Sequence, residues 1–194
     1  MFIGRDDLGT SMATSKTGSF YLTETVTLPA TSADGTVVQE SIDIGAYVNV
    51  PTGQAIAIES VDFVYQNAAN RLGSAANMLA SQGAIHAQLS DLNPGTTMLL
   101  ANDHSLVASG SINVDQANNI ASQITDLYPD NFGPSALSEA FMVVNDTLYL
   151  TAGVGNSAIS GANVFVTARI RCRVVKLSSK DWMAIAIQST AADN

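Results

Sequence analysis

Among its 194 residues the chain has one cysteine, two histidines, one tryptophan and only eight lysines and arginines. Each scarcity excludes something. A lone Cys172 can form neither an internal disulfide nor a cysteine-based zinc cage. His86 and His104 are far apart in sequence and lack a nearby glutamate, so they do not make the several-histidine set of a metal-dependent β-barrel enzyme. Eight cations against seventeen acids leave a net charge of −9, which works against broad contact with nucleic-acid phosphates or anionic membranes. The N-terminus lacks a basic start followed by an apolar core, so it does not read as a secretory signal. Residues 147–168 carry no charge, yet Gly153, Gly155, Asn156, Gly161 and Asn163 interrupt them, and no membrane span is expected.

Charge as a whole is also scarce: 13% of residues, against roughly 25% in an average soluble domain. Ala, Ser, Thr, Asn and Gly fill the surface positions instead. A surface short of Lys and Glu resembles a protein–protein interface in composition, and so favours a subunit covered by neighbours.

What charge there is lies unevenly. Residues 1–168 hold three cations and fifteen anions, whereas residues 169–180 hold five cations and no anion. Three of those five (Arg169, Arg171 and Arg173) fall in a run of strict alternation, and Lys176 follows it. Val164, Val166, Ala168, Ile170, Cys172 and Val174 share one face of a strand, and the three arginines line the other over roughly 13 Å. On this pattern Cys172 is a core residue with an inert thiol. The arginine row admits three readings. It is a solvated face paired with acids such as Asp43, Glu59 or Asp62, a contact with another subunit, or a patch for nucleic-acid or lipid phosphates.

The remaining segments read mostly as strands. Residues 1–18 form an extended arm, and 20–28 alternate up to Pro29. Residues 37–50, 55–66, 84–89, 97–101 and 105–114 continue the β pattern. Residues 141–144 and 148–152 flank Asn145-Asp146 as a hairpin, and 162–177 is the long basic strand. Helical spacing predicts a helix over 67–82, stopped by Gly83, and another over 116–127 with Asp115 as its N-cap. A last helix begins at Ser178, with Asp181 completing a capping box. Its stripe is Trp182, Ile185 and Ala186, joined by Met183 and Ile187, and Trp182 anchors it to the core.

Several motifs carry no chemistry. Asp103, His104 and Ser105 are triad residue types, but chain neighbours cannot converge as nucleophile, base and orienter. Gly153, Gly155 and Ala158 match a dinucleotide pattern without the helix that must follow. Asp126, Asp130 and Asn131, and Asp91 with Asn93, offer oxygen atoms to Ca²⁺ but lack EF-hand spacing, and turn formation is the plainer role. Asn145-Asp-Thr147 is a glycosylation sequon by pattern. No catalytic residue, cofactor or metal ligand is assigned, and an enzyme is not expected.

In strand order and composition the chain resembles the single jelly-roll subunits of icosahedral virus capsids. The resemblance covers about residues 19–177 and implies an all-β, antiparallel jelly-roll-like sandwich of about eight strands. Short helices would lie in two connections, with residues 178–194 adding a C-terminal capped helix and tail. It also implies a virion structural protein whose partners are copies of itself and other virion proteins. The acidic body and the missing basic arm leave nucleic acid a minor partner and fit a shell whose genome is packaged by other proteins or enclosed by a membrane. No small-molecule substrate is expected. Arg169, Arg171, Arg173 and Lys176 are then the expected subunit contact, with Cys172 and Trp182 as core anchors. Two other classes stay open: a decoration, spike or filament subunit, and a carbohydrate-binding β-sandwich module.

Overall fold

A computed structural model describes residues 13–69, 71, 75–127 and 140–190. Ten strands follow one another: β1 (Thr14–Ser15), β2 (Phe20–Leu28), β3 (Val37–Asp43), β4 (Gln54–Asn67), β5 (Gly83–Ser90), β6 (Leu106–Asp115), β7 (Ile120–Leu127), β8 (Phe141–Val143), β9 (Thr147–Gly155) and β10 (Val164–Lys176). One α-helix, α1 (Ser179–Thr190), comes after them.

All the strand pairs are antiparallel and divide into two sheets. The first runs β2-β10-β4-β8, with β1 continuing the β2 edge of β10. The second runs β3-β9-β5-β6-β7. Setting β1 and β7 aside, the chain changes sheet at every step except β5 to β6, and its first long strand pairs with its last. That order is a jelly roll.

Alternation explains the layers. Val164, Val166, Ala168, Ile170 and Cys172 of β10 are fully buried and meet Val26, Leu28, Ile56 and Ile58 in one core cluster. Ile85, Ala87, Leu89, Leu148, Leu150 and Ala152 face them from the second sheet. A second, smaller cluster lies outside the first sheet, where Trp182, Ile185 and Ala186 of α1 pack on Ala55, Ala57, Val175 and Leu177. Ser178 caps this helix: its Oγ accepts the Asp181 N–H at 3.2 Å and donates to Asp181 Oδ2 at 2.7 Å. Gly53 fixes the approach, because its φ is +68° and a Cβ there would lie 2.5 Å from the Leu177 carbonyl oxygen. Met183 and Ile187, expected in the apolar stripe, are instead exposed.

Four local expectations fail for identifiable reasons. In 67–82 the described residues end β4 at Asn67 and form one 3-10 turn, Ala75–Met78, with residues 70 and 72–74 outside the description. Ala76, Met78 and Leu79 are buried, so the alanine-rich spacing reflected a packed connection. Asp115 starts a hairpin turn: its Oδ1 accepts the Asn118 N–H at 3.2 Å, and Asn119 takes a φ of +56°. The turn sends Ile120–Leu127 back as β7, a fate suited to β-branched Ile120, Ile124 and Thr125. Residues 141–144 and 148–152 do not pair with each other, since β8 joins β4 and β9 joins β3 and β5. No strand forms at 97–101, where the Gln88 side-chain amide accepts the Leu99 N–H at 2.7 Å and donates to the Leu99 carbonyl at 2.8 Å. This connection lies over the outward side of the second sheet, and Gln39 Nε2 secures it at the Gly95 carbonyl, 2.9 Å away.

Candidate functional site: the outward face of the first sheet

The outward face of β10 carries all three arginines, but their surroundings differ. A β-bulge in β4 causes the difference. Arg171 stands opposite Ser60 and Cys172 opposite Ile58, so Glu59 is the extra residue on its strand. Glu59 is only 2% exposed and turns its carboxylate beneath the basic row. Arg171 Nε lies 3.0 Å from Glu59 Oε2, and the Arg173 guanidinium donates to Glu59 Oε1. Ser19 Oγ adds a donor at 3.0 and 3.2 Å, and itself accepts from Arg173 Nη2 at 3.3 Å. This cluster lies beside the helix-covered part of the sheet.

Farther along, the face opens. Arg169 is exposed, opposite Asp62 in register, with its guanidinium 5.5 Å from the Tyr21 ring centroid. A second exposed guanidinium, that of Arg71, lies 5.0 Å from the Phe165 ring centroid. Tyr21 is 54% exposed, Thr23, Thr25 and Thr27 follow it on β2, and Thr25 and Thr167 share a hydroxyl hydrogen bond of 2.8 Å. Lys176 is exposed at the end of β10, opposite Gln54, which also accepts from Lys16 Nζ at 3.2 Å.

Cys172 sits on the other face of β10, fully buried. Burial, helped by the Glu59 charge, pushes its thiol up to about 12, so it is no nucleophile. Trp182, partly buried, packs between α1 and the first sheet, and its indole Nε1 is buried without a hydrogen-bond partner.

The other candidate residues do not converge. His86 and His104 are both exposed. Asp103 Oδ1 accepts from the Ser105 N–H and Oγ at 2.9 and 2.7 Å, which makes the would-be triad a turn. Gly153 and Gly155 lie inside β9, paired with β3 and β5, where no phosphate loop can form. Asn145 of the sequon donates through Nδ2 to the Asp91 carbonyl at 2.9 Å. Asn93 closes an Asx turn on Gly95 N–H at 2.8 Å. The Asp130 and Asn131 positions, and the Asp126 side chain, lie outside the described residues. Among the described residues no three His, Cys, Asp or Glu gather as a metal centre. An open groove of about 480 Å³ runs between β5, β6 and β7, lined by Gln82, His86, Asn113, Asp115 and Ser122 among others.

Asp91, read from the sequence as a turn former, is instead a buried acid. It is 1% exposed, and neither carboxylate oxygen has a hydrogen-bond partner. Burial raises its pKa from 3.8 to about 7, the polarity of its own backbone amide pulls against that rise, and the Asp103 charge adds to it.

No protein-family model matches the sequence, and no curated protein does. Solved structures do show similar chains, among them chains from three plant-infecting viruses. A chain from Desmodium yellow mottle tymovirus is 6% identical with a TM-score of 0.33, over 92% of this chain and 95% of that one. One from Maize chlorotic mottle virus is 14% identical with a TM-score of 0.33, over 82% and 96%. One from Cocksfoot mottle virus is 11% identical with a TM-score of 0.28, over 93% and 95%. Likeness at this level does not bear on function, and the jelly roll rests on the strand order itself. Among the described residues no helix is long and apolar enough to cross a membrane.

Proposed function

We propose that this chain is a structural subunit that associates with copies of itself to build a shell, as the subunit of a viral capsid does. The observation that carries this reading is the open part of the first sheet's outward face. It combines an exposed tyrosine, a row of threonines and the exposed guanidiniums of Arg169 and Arg71, each set over an aromatic ring. Tyrosine and arginine are enriched at protein interfaces and lysine and glutamate depleted. A jelly roll is compatible with this role without implying it. Contacts between such faces are weak singly and become strong by multiplicity in a closed shell.

Arg171 and Arg173 are held by Glu59 within the subunit, so the subunit-contact role falls to Arg169 and Lys176. The test is size-exclusion chromatography and negative-stain microscopy of purified protein at rising concentration. Closed particles are the expected result. Replacing Arg169 and Lys176 with Gln is expected to lower particle yield several-fold while circular dichroism stays unchanged. A monomer at every concentration overturns the reading, and filaments or small oligomers favour the decoration or filament class instead.

A further inference from the structure

Charge divides between the two layers of the sandwich. Seven of the eight lysines and arginines lie in the described residues, and all seven belong to the first sheet or to what packs on it. Four are on β10; Lys16 is tied to β10 through the Val174 carbonyl, Arg71 lies over Phe165, and Lys180 is on α1. Four acids share that layer, Glu24, Glu59, Asp62 and Asp181, and Glu59 already holds Arg171 and Arg173. In the second sheet, β3, β5, β6, β7 and β9 contain no lysine or arginine, and neither do the connections from β5 to β7. Acids recur there instead: Glu40 and Asp43 on β3, Asp103 before β6, Asp115 at its end and Asp146 just before β9.

The outermost charges of each layer find no opposite within the subunit. Arg71 and Arg169 are exposed over their rings, and among the described residues neither is in an ion pair. Glu40, Asp43 and Asp146 are exposed on a sheet without a cation. Asp43 and Asp146 stand side by side, since a Cβ on Gly45 would meet Asp43 Oδ1 at 3.2 Å and Asp146 Cβ at 3.6 Å. The two patches are of like extent. Phe165, under Arg71, is four residues from Arg169 along β10, about 13 Å, while Glu40 and Asp43 are about 10 Å apart along β3. A guanidinium is weakly hydrated and offers a planar fork that fits a carboxylate, so such a pair forms readily at an interface.

We propose that the Arg71–Arg169 patch of one copy docks on the Glu40–Asp43–Asp146 patch of another. This rests on the self-association proposed above and names the partner surface. The contact is head-to-tail: every copy offers one patch of each sign, so contacts pass from copy to copy and close where the rotation allows.

The test uses full-length protein in three forms: wild type, Arg71→Glu with Arg169→Glu, and Glu40→Lys with Asp146→Lys. Asp43 is left in place because its Oδ1 holds the Gly45 N–H at 2.9 Å, whereas the Asp146 carboxylate accepts from the Thr147 hydroxyl. Association is read by sedimentation velocity at about 50 mM and about 500 mM salt, and the wild type is expected to weaken about tenfold between them. Each variant alone should associate about tenfold less than wild type at low salt. Their equimolar mixture should recover, because one then offers two acidic patches and the other two basic ones. If a reversal unfolds the chain by circular dichroism, the Gln pair at Arg71 and Arg169, or Glu40→Gln with Asp146→Asn, is read in its place, with a loss of about fivefold expected. Full association of the Lys variant alone, or a mixture of folded variants that does not recover, overturns this contact and leaves self-association standing. A wild type that is monomeric at every concentration and salt overturns both.

Discussion

Glu59, in the first sheet, and Asp91, just past the end of β5 in the second, are two carboxylates buried to almost the same extent, 2% and 1% exposed. Glu59 has two guanidiniums and a hydroxyl around it, whereas neither carboxylate oxygen of Asp91 has a hydrogen-bond partner. Burial therefore does not decide how a carboxylate behaves; its partners do. The bulge in β4 turns Glu59 under the arginine row, where its desolvation is offset by charge-assisted hydrogen bonds. The turn after β5 leaves Asp91 to meet the same desolvation by holding its proton to about pH 7.

Breaking the Glu59 side should have the largest effect. Glu59→Ala leaves Arg173, whose side chain is 11% exposed, without its counter-charge. A loss of about 3–5 kcal/mol is expected in denaturant unfolding. The Asp91 side is sharpened by pH. The unfolded chain loses this proton near pH 4 and the folded chain near 7, so stability should fall as pH rises through that window and then level off. The fall is on the order of 2–4 kcal/mol and should vanish in Asp91→Asn, read from unfolding curves at several pH values. A control outside both sites is Ser178→Ala, which removes the N-cap of α1 and should cost about 1 kcal/mol. A loss as large as that of Glu59→Ala would show that the helix, rather than the ion cluster, secures the outward face.

The features legible in the sequence were those with local causes. The period of two in β10 separated Cys172 from the arginines, and Ser178 with Asp181 announced α1. Glu59 appeared among the acids that could face Arg171 and Arg173, but nothing marked it over Asp43 or Asp62. The bulge that selects it is a register shift between β10 and β4, strands about a hundred residues apart in the chain. Asp91 looked like an ordinary turn acid because its burial depends on Ser105 and Asn145, which distant segments deliver. Asp115 fitted a helix cap and a hairpin turn equally well, and pairing with β6 decided between them.

The placement of β10 also governs how the molecule is made. Residues 164–176 come after every other strand, yet they lie between β2 and β4, which do not pair with each other. While the ribosome is still short of them, the first sheet lacks its centre, and the edges of β2 and β4 stay open to wrong pairing or to chaperones. Folding must then wait for the last strand to arrive, with the slow closure of long loops that this entails. The same delay acts as a check on completeness: a product truncated before residue 164 has no arginine row and no closed sheet, and cannot pass as a finished subunit.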